Sequence, residues 1–307
     1  MPGTPTETPC GLGFWGPETI ARLVAPYVDP DRFTVTRAVV YTFHHLVAER
    51  WRSGRVFLLG DAAHQMPPFL GQGLCSGLRD AANLTWKLAL VLEGTDGAAG
   101  PDLLDSYEAE RRPHTEEMAV TSLRLGKVFL VRNRYAAAAR DAVLRGVQIV
   151  PRVRRFVRRF EFKPAPALRT GMLSGGVRKG PIGTMFPQPE VTTPGSTTPR
   201  LLEHVLGPAF TVIGPAVDAR TAATWAGPAA TFVRVLPTGS SGAPSTPAHD
   251  VVNVVDVNGV LGDWFHRHRV ALAVLRPDRF VYGTTADAVP LCSPAGGGGS
   301  GTAASAV

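Results

Sequence analysis

The amino-acid sequence predicts an α/β protein of mixed α+β character, and three observations predict it. A continuous apolar run, Val56 to Leu59, ends at Gly60-Asp61, as a strand buried on both faces would. Leu74, Leu78, Ala81, Leu84, Leu88 and Val91 then recur at steps of three and four, the period of a helix with one apolar face. Over residues 201–291, apolar runs at 210–213, 232–236 and 270–275 alternate with helical segments, which fits a small α/β domain.

The elements follow in order. Residues 1–52 hold a short helical piece, Pro17 to Tyr27, and an extended run, Phe33 to Ala48, rich in Val, Thr, Tyr and Phe and read as strand. Residues 53–160 hold the strand ending at Asp61, a glycine-rich loop and several helices. Residues 161–200 are dense in Pro, Gly, Thr and Ser and read as a linker. Residues 292–307 include Gly296 to Gly299 and read as a disordered tail.

Composition narrows the function. At 307 residues, 44% hydrophobic and 19% charged, the chain is long enough for two domains and ordinary for a globular protein. It has no apolar run of about 20 residues to span a membrane, and no basic, apolar leader. Cys10, Cys75 and Cys292 are far apart and form no CxxC, so a reducing cytoplasm is expected. The net charge of +7 concentrates at Arg152, Arg154, Arg155, Arg158 and Arg159. These flank Val153, Phe156, Val157 and Phe160, an amphipathic stripe, so the charge reads as a solvated helix face and not a nucleic-acid patch. His44-His45 lie in the extended run, where neighbours point to opposite faces, and His266 and His268 lack ligand-spaced partners. No metal site is expected.

The strand–loop–helix carries the chemistry. Ligands of open α/β sheets bind beyond the carboxyl ends of strands, where Asp61 stands. Pro67 and Pro68 stiffen the following loop, and Gly71 and Gly73 let backbone approach a flat ligand. The helix begins near Gly73-Leu74-Cys75, offering unpaired N–H donors and a positive dipole end. A carboxylate suits hydroxyls, and a helix N-terminus suits an electron-rich acceptor. An ordinary strand–loop–helix with Asp61 as a structural cap fits the same spacing, so the pattern alone leaves both readings open.

The segment GDAAHQMPPFLGQGLCSGLRDAANLTWKLALVLEG, residues 60–94, closely resembles the second FAD-binding motif of class A flavoprotein monooxygenases, the para-hydroxybenzoate hydroxylase family. The resemblance continues through residues 40–44 and 104–114. Residues 160–164, 183–189 and 275–280 resemble the branch that hydroxylates 3-(3-hydroxyphenyl)propionate and 3-hydroxycinnamate. The resemblance implies part of an FAD/NAD(P)-binding flavoprotein hydroxylase fold, preceded by a piece of the substrate-binding sheet domain and followed by a thioredoxin-like domain. It implies FAD as cofactor, NAD(P)H and O2 as co-substrates, and oxygen transfer to a phenol through a flavin C4a-hydroperoxide. Asp61 would hold the ribityl chain. Pro68 would lie beside the isoalloxazine, its carbonyl near C4a and the substrate. Gly71, Gln72, Gly73, Leu74 and Cys75 would line the cofactor, the last three through backbone N–H groups. Many relatives carry Asn at the place of Cys75, but that contact is main-chain. Tyr41, Phe43 and Pro67 are candidate substrate contacts, although core packing explains Tyr41 and Phe43 as well.

The family's glycine-rich ADP-binding fingerprint has no counterpart. Gly11, Gly13 and Gly16 have its spacing but follow Thr8-Pro9-Cys10 and not an apolar strand. The resemblance therefore implies that the ADP-binding N-terminal half is missing. The unit at 201–291, without a CxxC, is expected to serve packing or homodimer formation and not redox chemistry. A non-catalytic remnant or assembly module, or a hydroxylase of polyketides, are the competing expectations.

Overall fold

The computed structural model describes residues 17–29, 32–37, 39, 42–94, 100–175, 177–196, 198–240 and 251–284. Cys10, the Gly11–Gly16 stretch, Tyr41, Cys292 and the 292–307 tail lie outside them. The chain forms two compact units, residues 1–44 and 45–307.

In the first unit, helix α1 spans Pro17–Val24, as expected. The extended run is a correction. Residues 33–37 and 42–45 belong to no strand, and only β1, Leu46–Val47 at the start of the second unit, pairs. A strand exists only with a hydrogen-bonded neighbour, and β-rich composition cannot supply one.

The second unit opens with small antiparallel pairs. β2 (Arg52–Ser53) turns through Gly54 into β3 (Val56–Phe57), and β4 (His64–Gln65) pairs with β1. The strand expected to be buried on both faces is therefore two residues long, with Val56 64% exposed. Among the described residues β3 has β2 alone as its neighbour. Helices follow: α2 (Gly73–Leu92), α3 (Gly100–Phe129), α4 (Arg134–Val147) and α5 (Pro151–Arg158). Asn133 caps α4 by accepting from the Tyr135 and Ala136 N–H groups, and Pro151 opens α5. The five arginines lie on or just beyond α5 and all five are exposed.

The remaining elements are β5 (Glu190–Thr192), β6 (Arg200–Leu201), α6 (Glu203–Leu206), β7 (Phe210–Gly214), α7 (Ala219–Ala223), β8 (Ala230–Leu236), β9 (Val251–Asp256), α8 (Val260–His268), β10 (Ala273–Leu275) and β11 (Val281–Gly283). They build one seven-stranded sheet in the order β11-β10-β7-β8-β9-β5-β6. β7, β8 and β9 run parallel, and the antiparallel hairpin β10–β11 closes one side. The crossover β7–α7–β8, then α8 and the hairpin beside β7, follow a thioredoxin-like plan. β9 is a further parallel strand, and β5 and β6 extend the edge from within the Pro/Gly-rich stretch, where Leu168 and Leu173 are also buried.

Apolar side chains cover both faces of this sheet. One face packs Ile213, Val233, Val235 and Val254 against Leu206, Leu261 and Phe265. The other packs Phe210, Val212, Phe232 and Val274 against Trp86 of α2 and Leu103 of α3. The helix that begins at the candidate site therefore forms part of the sheet's own cover, and Trp86 meets Phe210 edge-on at 5.5 Å.

Candidate functional site

The site is built where β3 ends. Gly60 takes a left-handed φ of 59° and opens a 3-10 turn, Gly60–Ala62, that carries Asp61. A Cβ added at Gly77, in the second turn of α2, would sit 3.2 Å from Gly60 Cα, so two glycines allow strand end and helix start to touch. Asp61 is exposed, and no hydrogen bond or ion pair engages it among the described residues. Asp61, Pro68, Gly71 and Leu74 are all exposed, so they line an open face.

The loop is held from below by α3. Ser122 Oγ donates to the Pro67 carbonyl at 2.6 Å, and Pro67 is buried. Phe69 lies against Gly126 so closely that a Cβ there would meet its ring at 2.4 Å, and it faces Phe129 at 6.3 Å. The Pro68 carbonyl accepts the Gly71 N–H at 2.9 Å, leaving its second lone pair for another donor. Gly71 has φ 60°, and a Cβ on Gly71 or Gly73 would meet nothing within 4 Å. That open space admits a flat ring. Gln72 stands at the N-cap of α2 without capping it, so the first helical N–H groups, those of Gly73, Leu74 and Cys75, have no partner within the helix. Gln72 Oε1 is a buried acceptor without a partner. Unfilled donors, an exposed carboxylate and open glycines fit the ribityl and pyrimidine parts of a flavin. Phe43 is 51% exposed in the first unit.

Sequence reasoning missed the buried charges behind this face. Asp80, fully buried on α2, accepts from Gly60 N–H (3.1 Å), His64 Nε2 (2.6 Å) and Arg111 Nε (2.9 Å). It thus fixes the turn that presents Asp61. One helical stretch further, Glu110 accepts from Asn83 Nδ2 (2.7 Å), Lys87 Nζ (2.8 Å) and Arg276 Nη2 (2.7 Å). Burial drives Lys87 down to about 8, against the pull of Glu110. Burial alone would raise Glu110, but Arg276 and Lys87 beside it hold it at about 2. A signal was present: Asp80, Asn83 and Lys87 recur at i, i+3 and i+7 alongside the apolar stripe of α2. Arg112, by contrast, pairs with Glu108 at 2.8 Å, an ordinary i,i+4 bond along α3.

Among the described residues no group of three His, Cys, Asp or Glu gathers to hold a metal ion, and no helix is long and apolar enough to cross a membrane.

The FAD binding domain model matches residues 18–122, and the HcaD C-terminal domain model matches residues 183–291. A 3-(3-hydroxy-phenyl)propionate/3-hydroxycinnamic acid hydroxylase of Burkholderia vietnamiensis is 39% identical over 285 residues, covering 89% of this chain and 51% of that protein. One from Mycolicibacterium smegmatis is 41% identical over 281 residues, covering 87% and 49%. Over most of its length the chain is similar to FAD-dependent aromatic hydroxylases. It spans about half the length of the curated relatives it matches. Among solved structures, the flavin-dependent monooxygenase PieE, in complex with FAD and substrate, matches 93% of this chain and 54% of its own at TM-score 0.61 and 22% identity, a likeness of fold. The anhydrotetracycline hydroxylase OxyS from Streptomyces rimosus matches 81% and 47% at TM-score 0.53 and 26% identity.

Proposed function

We propose that this chain is the carboxyl-terminal portion of an FAD-dependent monooxygenase that hydroxylates a phenolic ring of the 3-(3-hydroxyphenyl)propionate type, with NAD(P)H and O2 as co-substrates. The observation that carries the reading is the uncapped start of α2 beside the exposed Asp61. Asp61 accepts hydrogen bonds from ribityl hydroxyls. The Gly73, Leu74 and Cys75 N–H groups donate to the carbonyl edge of the pyrimidine ring, and the helix dipole favours the negative charge that edge gains on reduction. Gly71 and Gln72 line the approach, and Pro68 offers its free lone pair toward the reacting face. Pro67, tied down by Ser122, holds the loop in place. FAD supplies electron acceptance and oxygen activation when bound; the protein positions it and keeps water away.

Water exclusion needs a cover. Val56, Leu59, Leu74 and Leu78 are apolar and exposed around the site, a surface suited to a further polypeptide segment. We take the further length of the relatives as the source of that segment and of the grip on the ADP. A second reading is a non-catalytic or assembly module. One experiment separates them: the amino-terminal half of a relative is joined to or co-expressed with this chain, and NAD(P)H-dependent hydroxylation of 3-(3-hydroxyphenyl)propionate is followed. Turnover that Asp61→Ala lowers about 10–100-fold, the worth of hydrogen bonds to a carboxylate, supports the enzyme. A folded, FAD-loaded assembly without turnover on any phenol supports the module.

A further inference from the structure

We propose that Arg276, in the loop after β10, is a positioning residue that ties the carboxyl-terminal sheet to α2 and so sets the rotation of the helix end offered to the flavin. The flavin part rests on the proposed function; the tie itself does not.

Arg276 is fully buried, and all five of its N–H donors are used. Nε donates to Asp278 Oδ1 at 3.0 Å, and Nη2 to Asp278 Oδ2 and Glu110 Oε2, both at 2.7 Å. Nη1 donates to Glu110 Oε1 at 2.9 Å and to the Met172 carbonyl at 3.0 Å. Its plane also lies 5.1 Å over the Trp86 ring. Glu110 passes the link on to Asn83 and Lys87 of α2, and Asp278 reaches Asn83 directly at 3.1 Å. Asn83, Trp86 and Lys87 form one face of α2, so three successive attachments oppose its rotation. That face lies about 12–21 Å along the helix from Gly73–Cys75. The chain packs over the cluster too: Gly171, at φ 104°, sits so close to Glu110 that a Cβ would fall 2.4 Å from its Cγ, and Met172 N–H donates to Glu110 at 2.7 Å.

Two cations, Lys87 and Arg276, face two anions, Glu110 and Asp278, so the buried cluster is charge-balanced. A nonpolar pairing would serve stability equally well. The directional, fully satisfied arrangement instead fixes orientation, and it does so between the sheet and the helix that opens the candidate site. The carboxyl-terminal unit thereby acquires a role that needs no dithiol.

The test uses the 307-residue chain with Arg276→Met, Arg276→Lys and the charge-balanced double variant Arg276→Met/Asp278→Asn. Amide exchange is read over residues 73–92 and, separately, over β7 and β8, and FAD is titrated into each variant. In Arg276→Met, exchange over 73–92 rises about tenfold or more while β7 and β8 stay protected, and flavin binding weakens. Arg276→Lys recovers only part of this, because three donors cannot replace a five-donor fork. Should Arg276→Met fail to fold, the double variant, with no buried charge left unbalanced, gives the decision. Unchanged exchange over 73–92, or equal acceleration in α2 and in β7 and β8, overturns the proposal. Acceleration confined to α2 with flavin binding untouched upholds the tie and overturns its connection to the flavin.

Discussion

Replacing Gly126 with alanine sets two effects of known size against each other. Gly126 lies within α3, where alanine favours the helix by about 1 kcal/mol over glycine. Its new Cβ would fall 2.4, 2.7 and 3.1 Å from three carbons of the Phe69 ring, closer than packed atoms tolerate. Overpacking of that kind costs about 1–3 kcal/mol. The net expectation is a loss of about 0–2 kcal/mol, with Phe69 displaced and the Pro67–Gly71 loop shifted with it. Urea unfolding of Gly126→Ala, Phe69→Ala and the double variant closes a cycle. With Phe69 cut back the clash disappears, so Gly126→Ala becomes stabilising by close to the full helix gain. Flavin binding weakens in Gly126→Ala although no candidate contact has been touched. A Gly126→Ala variant that is more stable by the whole helix increment, with no coupling to Phe69, would refute the reasoning that α3 supports the loop through this contact.

Other outcomes follow from the same geometry. Arg276 and Lys87 overcome the push of burial and hold Glu110 at about 2, below its ordinary 4.5, so its stabilisation is present above pH 4.5 and lost as pH falls toward 2, and Glu110→Gln removes this part of the acid transition. Burial, with Arg111 and Arg79 nearby, lowers His114 to about 4 from 6.5, so stability also declines from pH 6.5 through 4, and His114→Gln flattens that stretch of the urea-midpoint profile. Trp86→Ala empties the contact between α2 and β7 and costs about 3–5 kcal/mol by urea unfolding. Cys75→Asn leaves flavin affinity within about twofold, because the proposed donor there is main-chain.

How much was legible depended on whether a signal was local. The helix at 73–92 was readable because its apolar period is internal to it, and so were the strands Phe210–Gly214 and Ala230–Leu236. The strand–loop–helix order around Asp61 was legible through its punctuation by Gly60, Pro67, Pro68, Gly71 and Gly73. Strand length and burial were not: Val56 to Leu59 read as a central strand, yet its burial depends on neighbours that no short window contains. The same limit undid the extended run at 33–48. The partners of Asp80, Lys87 and Glu110 were not legible, since that of Glu110 stands as far away as Arg276. A polar residue within an apolar helical stripe was the available clue, and only tertiary contact gave it meaning.

The central claim is that this chain carries the flavin-ring and ribityl contacts but not the ADP contacts. Its most direct measurement is a pair of titrations, riboflavin and FAD, into the 307-residue protein followed by flavin fluorescence, with ADP as a competitor. A few hydrogen bonds, each netting about 0.5–1.5 kcal/mol and up to 3 at Asp61, scarcely offset the cost of immobilising a large cofactor. Both ligands should therefore bind weakly, with affinities within about threefold of each other, less than 0.7 kcal/mol apart. ADP should not compete, and Asp61→Ala should abolish both signals. Sub-micromolar FAD binding that riboflavin cannot match, or displacement of FAD by ADP, would contradict the account.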